Sequence, residues 1–550
     1  MPFPQPGVSR WVPDPGVGPV LRDLTVGGLL DEAIATWPEQ EAVVFSAYDD
    51  EGVAARWTYA ELGERARRVG KALIAAGIEP GESFGIWATN VPEWLELQFG
   101  ATYAGVVIIP MNPLYRASEV EFVLAKARAA ACFVLPENRG ASLWDIAVKA
   151  TSGIDGLRLL VPLGDGRDGV PGWEEWLAAG DAVDDDRLER RRRAVRSDHT
   201  SQIQFTSGTT GFPKGAELTH GGIVNNARLF AYRATLRENG RHSNPMPYFH
   251  CGGCVMSTLG SVATGSAQLP AIKFEAARIT RTIEEERATS VSVVPTMMIA
   301  LEEQVAEDGR DLSSLEIVVT GGSPVPPEVM NRWIERYGVG INNTYGMTEC
   351  SPVVCATLPG DPVDLQTTTV GPPLPRIEVE IVAPGSTEPV PIGAEGELRS
   401  RSAMVMPGYW DNPEETAAAI DPDGFIRSGD LARIDADGYV SITGRAKEMI
   451  IRGGENIFPA EIENAVRALP QVADVAVIGV PDERYGESCC AYVRLADGAT
   501  LELEELRDQL TGQVARYKIP GHLRTVEELP LTPSGKVQKF KLKELFENGV

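Results

Sequence analysis

The densest group of chemically useful side chains lies at residues 206–215, where the sequence reads Thr-Ser-Gly-Thr-Thr-Gly-Phe-Pro-Lys-Gly. Glycine at three of these positions allows sharp backbone turns, so that N–H groups can approach a phosphate closely. Hydroxyl groups and one ammonium group add further donors, which predicts a polyphosphate cradle rather than a plain polar turn. The spacing differs from the Gly-x4-Gly-Lys-Ser/Thr loop of P-loop NTPases. The candidate phosphate-binding residues are Thr206, Ser207, Gly208, Thr209, Thr210, Gly211 and Lys214.

A second candidate is Lys536, in a Thr-Pro-Ser-Gly-Lys loop near the C-terminus. Proline and glycine favour a turn that can present a single ammonium group. Lysine is scarce in this chain, with 11 in 550 residues, yet five of the 11 lie in the last 33 residues. The C-terminal segment therefore carries unusual local positive charge, which serves either solubility or phosphate binding. These five lysines are Lys518, Lys536, Lys539, Lys541 and Lys543.

A third group combines a histidine with two cysteines in the segment 247–254, Pro-Tyr-Phe-His-Cys-Gly-Gly-Cys. Cys251 and Cys254 form a Cys-x-x-Cys pair, but no second pair follows at zinc-finger spacing and the setting is not thioredoxin-like. We interpret these cysteines as small residues that line a pocket, rather than as a metal or redox site. His250, taken alone, is better explained by a structural role than by a functional one.

The overall charge limits what the chain can bind. Lys and Arg number 51 and Asp and Glu number 77, which gives a formal net charge of −26. A chain this acidic is a poor candidate for binding nucleic acid or an anionic membrane surface, so any polyanion must meet a local site. Hydrophobic residues make up 43% of the sequence, which is typical of a globular protein, and 550 residues predict two or more domains.

Cysteine usage and the N-terminal sequence predict a cytoplasmic protein. The seven cysteines are odd in number and follow no disulfide-framework spacing, which is typical of reduced thiols. The first 20 residues lack the charged start and apolar core of a signal peptide. The longest uncharged stretch, 252–272, is rich in Gly, Ser and Thr, and we interpret it as buried core rather than an integral membrane segment.

The elements that must position these residues alternate between helix and strand over the first 200 residues. Apolar residues at helical spacing predict a helix over 59–74, and a proline in the first turn fits another over 92–103. Continuous apolar runs predict buried strands at 83–88, 105–110 and 131–136. This alternation indicates an α/β domain with largely parallel sheets.

The remaining chain contains several regions with different sequence patterns. A strand at 201–205 precedes the candidate phosphate loop, and a helix is predicted to begin near Gly221. The segment 164–200 contains an Asp run and an Arg run, and we interpret it as a solvated surface connection. Short segments bounded by Gly, Pro and Asp after about residue 375 predict antiparallel strands. The last hundred residues predict a small α+β unit, with helices at 459–468 and 502–514 and strands at 472–479 and 489–495.

The loop at 206–215 and six further motifs, all in the same order, resemble the signature of the adenylate-forming superfamily of acyl-CoA synthetases, adenylation domains and luciferase. The resemblance covers roughly residues 25–545, and the segments 110–115 and 535–543 resemble the medium-chain acyl-CoA synthetase branch. The six motifs are Gly321-Gly-Ser-Pro324, Asn343-Thr-Tyr-Gly-Met-Thr-Glu349, Ser428-Gly-Asp430, Gly444-Arg-Ala-Lys-Glu448, Arg452-Gly-Gly-Glu-Asn-Ile-Phe-Pro-Ala-Glu461 and Pro530-Leu-Thr-Pro-Ser-Gly-Lys-Val-Gln-Lys539.

The resemblance implies the fold and the domain organisation. A large α/β N-terminal domain of layered sheets, with a small β-barrel-like subdomain, would span residues 1–446. A small, mobile α+β C-terminal domain would follow at 447–550, with the hinge at Lys447. This domain would rotate between two half-reactions and bring Gly453, Gly454 and Glu455 to the coenzyme A side of the site.

The resemblance also implies ATP, Mg2+ and coenzyme A as ligands, and it assigns catalytic roles. Glu349 would hold Mg2+, which suits a hard cation that takes few protein carboxylates. Thr348 would bind the α-phosphate, and Lys536 would bridge the α-phosphate and the substrate carboxylate. His250 would lie at the acyl site, and Lys214 completes the catalytic set.

The adenosine half of ATP would be bound by a separate group of residues. Tyr345 would stack on adenine, and Asp430 and Arg445 would share the ribose hydroxyls. The other implied nucleotide-binding positions are Gly321, Gly322, Ser323, Asn343, Thr344 and Gly346.

The sequence thus predicts an ATP-dependent acid–CoA ligase that makes an acyl-adenylate and then a thioester, with a fatty or medium-chain acid as substrate. The alternative is a stand-alone adenylating enzyme that passes the acid to a carrier protein in trans or to an amine, or that activates an unusual acid such as nitrite. A non-enzymatic nucleotide sensor is disfavoured because it would not need Glu349, Asp430 and Lys536 together.

Overall fold

The computed structural model describes residues 7–46, 54–206, 213–323, 325–452, 455–457, 459–482, 485–531 and 537–549. The chain forms two compact units. The larger unit comprises Pro13–Glu378 and Arg401–Ile426, and the smaller unit comprises Met1–Val12, Val379–Ser400 and Arg427–Val550.

The larger unit contains a six-stranded sheet that carries the strands on either side of the candidate phosphate loop. All neighbouring strands are parallel except the pair that flanks the loop, which is antiparallel. In spatial order the strands are Lys214–Thr219, Thr200–Thr206, Val107–Met111, Ser83–Trp87, Ala129–Val134 and Leu159–Pro162.

An eight-stranded sheet forms the other layer of the larger unit. Its six central strands are parallel, and an antiparallel strand closes each edge. In spatial order the strands are Val353–Ala356, Gly340–Gly346, Ile317–Gly321, Ser290–Ser292, Arg241–Asn244, Ala267–Pro270, Glu41–Phe45 and Ala55–Thr58.

Helices cover these parallel sheets, as the buried apolar strands require. The helix Tyr59–Ala75 begins at a capping box, in which Thr58 and Glu61 satisfy each other's backbone N–H groups. The helix Pro92–Ala104 ends at Gly105, whose φ of 75° is the left-handed conformation that glycine adopts readily. The other α-helices of the larger unit are Val26–Thr36, Ala117–Lys126, Leu143–Thr151, Trp173–Ala178, Asp185–Ala194, His220–Arg233, Thr258–Thr264, Ala276–Glu285, Pro295–Asp308, Pro327–Tyr337, Val363–Thr368 and Pro413–Ala419.

The charge runs of residues 164–200 are largely exposed, as a solvated surface connection predicts, but the segment also contains helices and buried side chains that were not expected. The segment forms two helices, and its tryptophans are buried, with the Trp176 ring centre 4.8 Å from that of Phe133. The charge runs lie at the two ends of the helix Asp185–Ala194, with acidic residues in the first turn and arginines in the last. Charges so placed complement the helix dipole, so the runs mark the ends of a helix rather than a loop.

The smaller unit has a five-stranded β-sheet and an α+β part. The α+β sheet pairs parallel only where His522–Thr525 meets Gly486–Leu495. The strands of the β-sheet are, in order, Arg10–Trp11, Glu378–Val382, Gly396–Arg401, Ile426–Ile434 and Val440–Arg445. The α+β part contains strands Ile450–Arg452, Glu455–Ile457, Val472–Asp482, Gly486–Leu495 and His522–Thr525, and helices Pro459–Arg467, Leu503–Leu510 and Lys539–Glu547.

The predicted fold class, α/β with a separate small C-terminal domain, is confirmed by this architecture, and a five-stranded sheet is described where the β-barrel-like subdomain was predicted. The helix predicted at 502–514 spans only Leu503–Leu510, and Gly512 beyond its end has a φ of 87°, outside the helical range. The domain boundary at 446/447 stays a prediction. Lys447 lies in a one-turn 3-10 helix, Ala446–Glu448. None of the described helices combines the length and the hydropathy that a membrane crossing requires.

The buried carboxyl group of Glu96 makes the stability of the larger unit depend on pH. Burial raises its pKa to about 7, and the nearby Arg65, 3.1 Å away, offsets only part of that effect. Because the folded-state pKa lies above the ordinary 4.5, this group favours folding below pH 4.5 and loses that effect as the pH rises through 7. We therefore expect Glu96→Gln to raise stability at pH 8 by up to about 3 kcal/mol and to leave it unchanged at pH 4.

Denaturant unfolding at several pH values measures this effect. The matched control is Glu189→Gln, because hydrogen bonds from Arg192 lower the pKa of Glu189 to about 2. That variant should gain no stability at pH 8. A Glu96→Gln protein with the pH–stability profile of the wild type would contradict the assignment.

Candidate active site

The ends of two central strands of the eight-stranded sheet bring the predicted adenine-side residues together. Gly321 pairs with Thr344 across the strands Ile317–Gly321 and Gly340–Gly346. The backbone of Gly321 has a φ of 151°, and a Cβ there would lie 2.2 Å from the Thr344 carbonyl oxygen. Only glycine fits this close approach. Ligands of open α/β sheets bind at such carboxyl ends, so the position suits the predicted role.

The side chains of Asn343 and Thr344 are used to hold this strand end. Asn343 Nδ2 donates to the Thr369 carbonyl at 2.8 Å, and Thr344 Oγ1 donates to the Thr320 carbonyl at 2.9 Å. Their effect on a nucleotide would therefore act through the backbone that they fix. Tyr345, the next residue, is half-buried.

Glu349 is a buried carboxylate in the 3-10 turn Thr348–Cys350, with 7% of its surface exposed. Its Oε1 accepts a hydrogen bond from the Tyr409 hydroxyl at 2.8 Å. Burial raises the pKa of Tyr409, so this hydroxyl keeps its proton and remains a donor. The backbone of Glu349 is fixed as well, since Met406 N donates to its carbonyl at 2.8 Å.

The donor set around Glu349 fits Mg2+. This ion takes oxygen ligands and commonly uses one or two carboxylates together with phosphate oxygens. Within the described ranges, no cluster of three or more His, Cys, Asp or Glu residues forms a closed metal cage. A single buried carboxylate is therefore the protein ligand that a Mg2+–polyphosphate complex would use here.

Lys214 leaves the phosphate loop at the start of the strand Lys214–Thr219. Its Nζ forms an ion pair with Glu415 Oε2, and it lies 5.3 Å from the centre of the Tyr409 ring. Thr206, at the other end of the loop, pairs with Lys214 across the two strands. The remaining predicted cradle residues lie outside the described residues; they are Ser207, Gly208, Thr209, Thr210 and Gly211.

His250 and Cys251 precede the π-helical stretch Gly252–Ser257, which contains Cys254, and both thiols hydrogen-bond to Gln204 of the six-stranded sheet. The Cys251 thiol donates to Gln204 Oε1 at 2.9 Å, and Gln204 Nε2 donates to Cys254 Sγ at 3.3 Å. Burial raises the pKa of Cys254 to about 12, which disfavours the thiolate. These thiols are buried hydrogen-bonding groups, and their interpretation as residues that line a pocket stays a prediction. The backbone carbonyl of His250 accepts from Gly253 N at 2.9 Å.

Asp430 and Arg445 are paired within the smaller unit. They face each other across adjacent antiparallel strands, and Arg445 Nε lies 2.8 Å from Asp430 Oδ1. Asp430 is buried, whereas the Arg445 side chain is 54% exposed. Lys536, Gly453 and Gly454 lie outside the described residues, and Glu455 begins the strand Glu455–Ile457.

Two C-terminal lysines that were candidates for phosphate binding form ion pairs within the protein. Lys539 Nζ lies 2.7 Å from Glu448 and 2.8 Å from Glu463, and Lys518 Nζ lies 2.6 Å from Glu461. These contacts favour a structural role for both lysines.

Comparison with known proteins identifies the family. The model of the AMP-binding enzyme family matches residues 30–410, and that of the AMP-binding enzyme C-terminal domain matches residues 461–536. The chain belongs to the AMP-binding enzyme family.

This AMP-binding enzyme has relatives that it matches over nearly their whole length. It is 39% identical over 535 residues to YngI of Bacillus subtilis (strain 168), assigned as an acyl-CoA synthetase, covering 94% of this chain and 96% of the relative. It is 36% identical to the mitochondrial medium-chain acyl-CoA ligase ACSF2 of Danio rerio, covering 96% and 89%. The crystal structure of the anthranilate CoA ligase AuaEII with anthranoyl-AMP has a TM-score of 0.85, 25% identity, and coverage of 97% and 98%.

Two residues of this site were missed by the sequence analysis. Tyr409 and Glu415 contact Glu349 and Lys214, from which they are separated by 60 and 201 residues. No spacing rule connects positions so distant along the chain. The available signal was the Tyr-Trp pair at 409–410 beside a helix start, Asn412-Pro-Glu-Glu, which indicates an ordered segment without naming its partner.

The ion pair with Glu415 should weaken ATP binding. A carboxylate that neutralises Lys214 competes with phosphate oxygens for the same ammonium group. We expect Glu415→Gln to lower KM for ATP about two- to five-fold, because a partly exposed ion pair is worth up to about 1 kcal/mol. Initial rates at varied ATP measure this change.

The neighbouring Glu414→Gln variant is the matched control, because Glu414 is an exposed residue of the same helix and the charge removed is the same. It should leave KM for ATP near the wild-type value. An unchanged or higher KM in Glu415→Gln would show that Glu415 does not compete with ATP.

Proposed function

We propose that this chain is an AMP-forming acid–CoA ligase. A carboxylic acid attacks the α-phosphate of ATP, which gives an acyl-adenylate and pyrophosphate, and the acyl group then passes to the thiol of coenzyme A. The observation that carries the proposal is the buried Glu349 carboxylate, held by Tyr409, whose ring also lies beneath the phosphate-loop lysine. The relatives named acyl-CoA synthetase and acyl-CoA ligase support the same reaction class.

In the first half-reaction the residues of the larger unit neutralise and orient charge. A phosphoryl group under attack is activated mainly by positioning and by opposing positive charge. Lys214 supplies an ammonium group, Thr348 supplies a hydroxyl donor, and Glu349 is the ligand for Mg2+. Bound Mg2+ would offset the charge of the phosphates. The glycine turn at Gly321 gives the nucleotide close access to the backbone.

The smaller unit supplies the second group of proposed roles. Asp430 accepts hydrogen bonds from the ribose hydroxyls, and Arg445 holds that carboxylate in place. Lys536 bridges the substrate carboxylate and the α-phosphate. The domain boundary is proposed at 446/447, with Lys447 as the hinge, and Gly453, Gly454 and Glu455 are proposed for the coenzyme A side.

The proposed substrate is a medium-chain fatty acid, and the proposed compartment is the cytoplasm. The substrate class rests on the relatives named medium-chain acyl-CoA ligase. All seven cysteines lie within the described residues and none of them forms a disulfide, which suits a reducing compartment. His250 and the π-helical stretch after it are the proposed acyl-site elements.

The experiment that tests this function is product analysis with a panel of acids, with and without coenzyme A. A ligase of this class turns ATP into AMP and pyrophosphate and needs coenzyme A for multiple turnovers. Formation of ADP would contradict the reaction class. Multiple turnovers with a carrier protein or an amine in place of coenzyme A would favour the adenylating alternative.

The Lys536→Ala variant separates the two half-reactions. We expect adenylate formation to fall about 100-fold, as for loss of a charged group that stabilises a transition state. Thioester formation from a preformed acyl-adenylate should remain near the wild-type rate. The control is Lys541→Ala, which removes an exposed lysine of the same region. Equal losses in both half-reactions would contradict the role of Lys536.

The Lys447→Pro variant tests the hinge. Proline fixes φ near −65° and removes a backbone donor, so a hinge that must change conformation would be trapped in one state. We expect overall turnover to collapse while one half-reaction survives, and Lys447→Ala to be much milder. Normal overall turnover in a folded Lys447→Pro protein would contradict the use of two catalytic conformations.

A further inference from the structure

Tyr409 contacts two charged groups, Glu349 and Lys214, that the proposed function assigns to the binding of ATP. Its hydroxyl donates to Glu349 Oε1 at 2.8 Å, and the face of its ring lies 5.3 Å from Lys214 Nζ. One contact is a hydrogen bond to a carboxylate, and the other is a cation–π contact with an ammonium group. A single side chain therefore contacts both groups.

The backbone fixes Tyr409 to the strand that leaves the phosphate loop. Tyr409 forms a β-bridge with Ala216, Trp410 N donates to the Gly215 carbonyl at 2.7 Å, and Glu217 N donates to the Gly408 carbonyl at 3.0 Å. Thr416 Oγ1 also accepts from Tyr409 N at 2.9 Å. The tyrosine is thus held at its main chain on both sides, which fixes the point from which its side chain extends toward Glu349.

A carboxylate that holds Mg2+ must keep its orientation when the ion is absent, or binding must supply the energy to order it. Residues that hydrogen-bond a metal ligand from behind fix that ligand and typically change metal affinity by about 10- to 100-fold. The hydrogen bond from Tyr409 occupies Oε1 of Glu349 and leaves Oε2 for a cation. The tyrosine touches Glu349 and Lys214, so it acts through these two residues.

We propose that Tyr409 is a positioning residue that orients the Glu349 carboxylate for Mg2+ bound to ATP. This inference rests on the proposed function, since it takes Glu349 as the metal ligand. It goes further because it gives a role to Tyr409, from a separate segment of the chain, in the binding of the metal ion together with the nucleotide.

The test compares Tyr409→Phe with the wild type in the binding of α,β-methylene-ATP by calorimetry, with and without Mg2+. Phenylalanine keeps the ring and its contact with Lys214 and removes only the hydroxyl. We expect the gain in affinity that Mg2+ gives to fall about ten-fold in Tyr409→Phe, whereas binding without Mg2+ stays at the wild-type value. Glu349→Gln should remove the gain from Mg2+, and adding Tyr409→Phe to it should cause no further loss.

The matched control is Tyr103→Phe, because the Tyr103 hydroxyl donates to Asp31 Oδ1 at the same distance of 2.8 Å in another part of the larger unit. It should lower the melting temperature about as much as Tyr409→Phe and leave the Mg2+ gain intact. An unchanged Mg2+ gain in Tyr409→Phe would overturn the proposal while the ligase function stands. A wild-type protein that does not bind the ATP analogue would overturn the proposed function, and this inference with it.

Discussion

The binding of a polyanion by a chain with a net charge of −26 is the electrostatic constraint on which the site depends. Long-range attraction cannot bring ATP to such a protein, so positive charge has to be concentrated within a few ångströms of the phosphates. Glu349, which is itself a buried negative charge, adds to the problem unless a cation accompanies the nucleotide. A metal ion bound together with ATP would resolve both difficulties, because its charge would offset that of the phosphates and of the buried carboxylate.

The larger unit brings together the residues that this requirement concerns. The strand ends at Gly321 and Thr344 provide backbone that a ligand can approach, and the 3-10 turn after the second strand carries Glu349. The segment at Gly408–Trp410 pairs with the strand that carries Lys214, and thereby brings Tyr409 between the lysine and the carboxylate. Both groups have protein partners in the structure, since Lys214 forms an ion pair with Glu415 and Glu349 accepts a hydrogen bond from the Tyr409 hydroxyl.

Local patterns predicted the parts of the structure that local physics determines. The helix Tyr59–Ala75 follows from apolar periodicity and a capping box, and the strand Thr200–Thr206 from a short run before a glycine-rich loop. The helices within 164–200 were not predicted, because charge runs at the ends of a helix have the same composition as a solvated loop. The tryptophans beside them are buried, which only the packed structure shows. Tyr409 and Glu415 were not predicted, since their contacts form only when segments distant along the chain pack together.

In the proposed reaction the acid is activated on the enzyme as an adenylate before coenzyme A takes part. The most direct measurement is the acid-dependent exchange of labelled pyrophosphate into ATP, in the presence of Mg2+ and the absence of coenzyme A. We expect exchange with an accepted acid and none without it, because the first half-reaction is reversible and complete in itself. Thioester formation from the same acid without any such exchange would show that no free-standing adenylation step precedes coenzyme A.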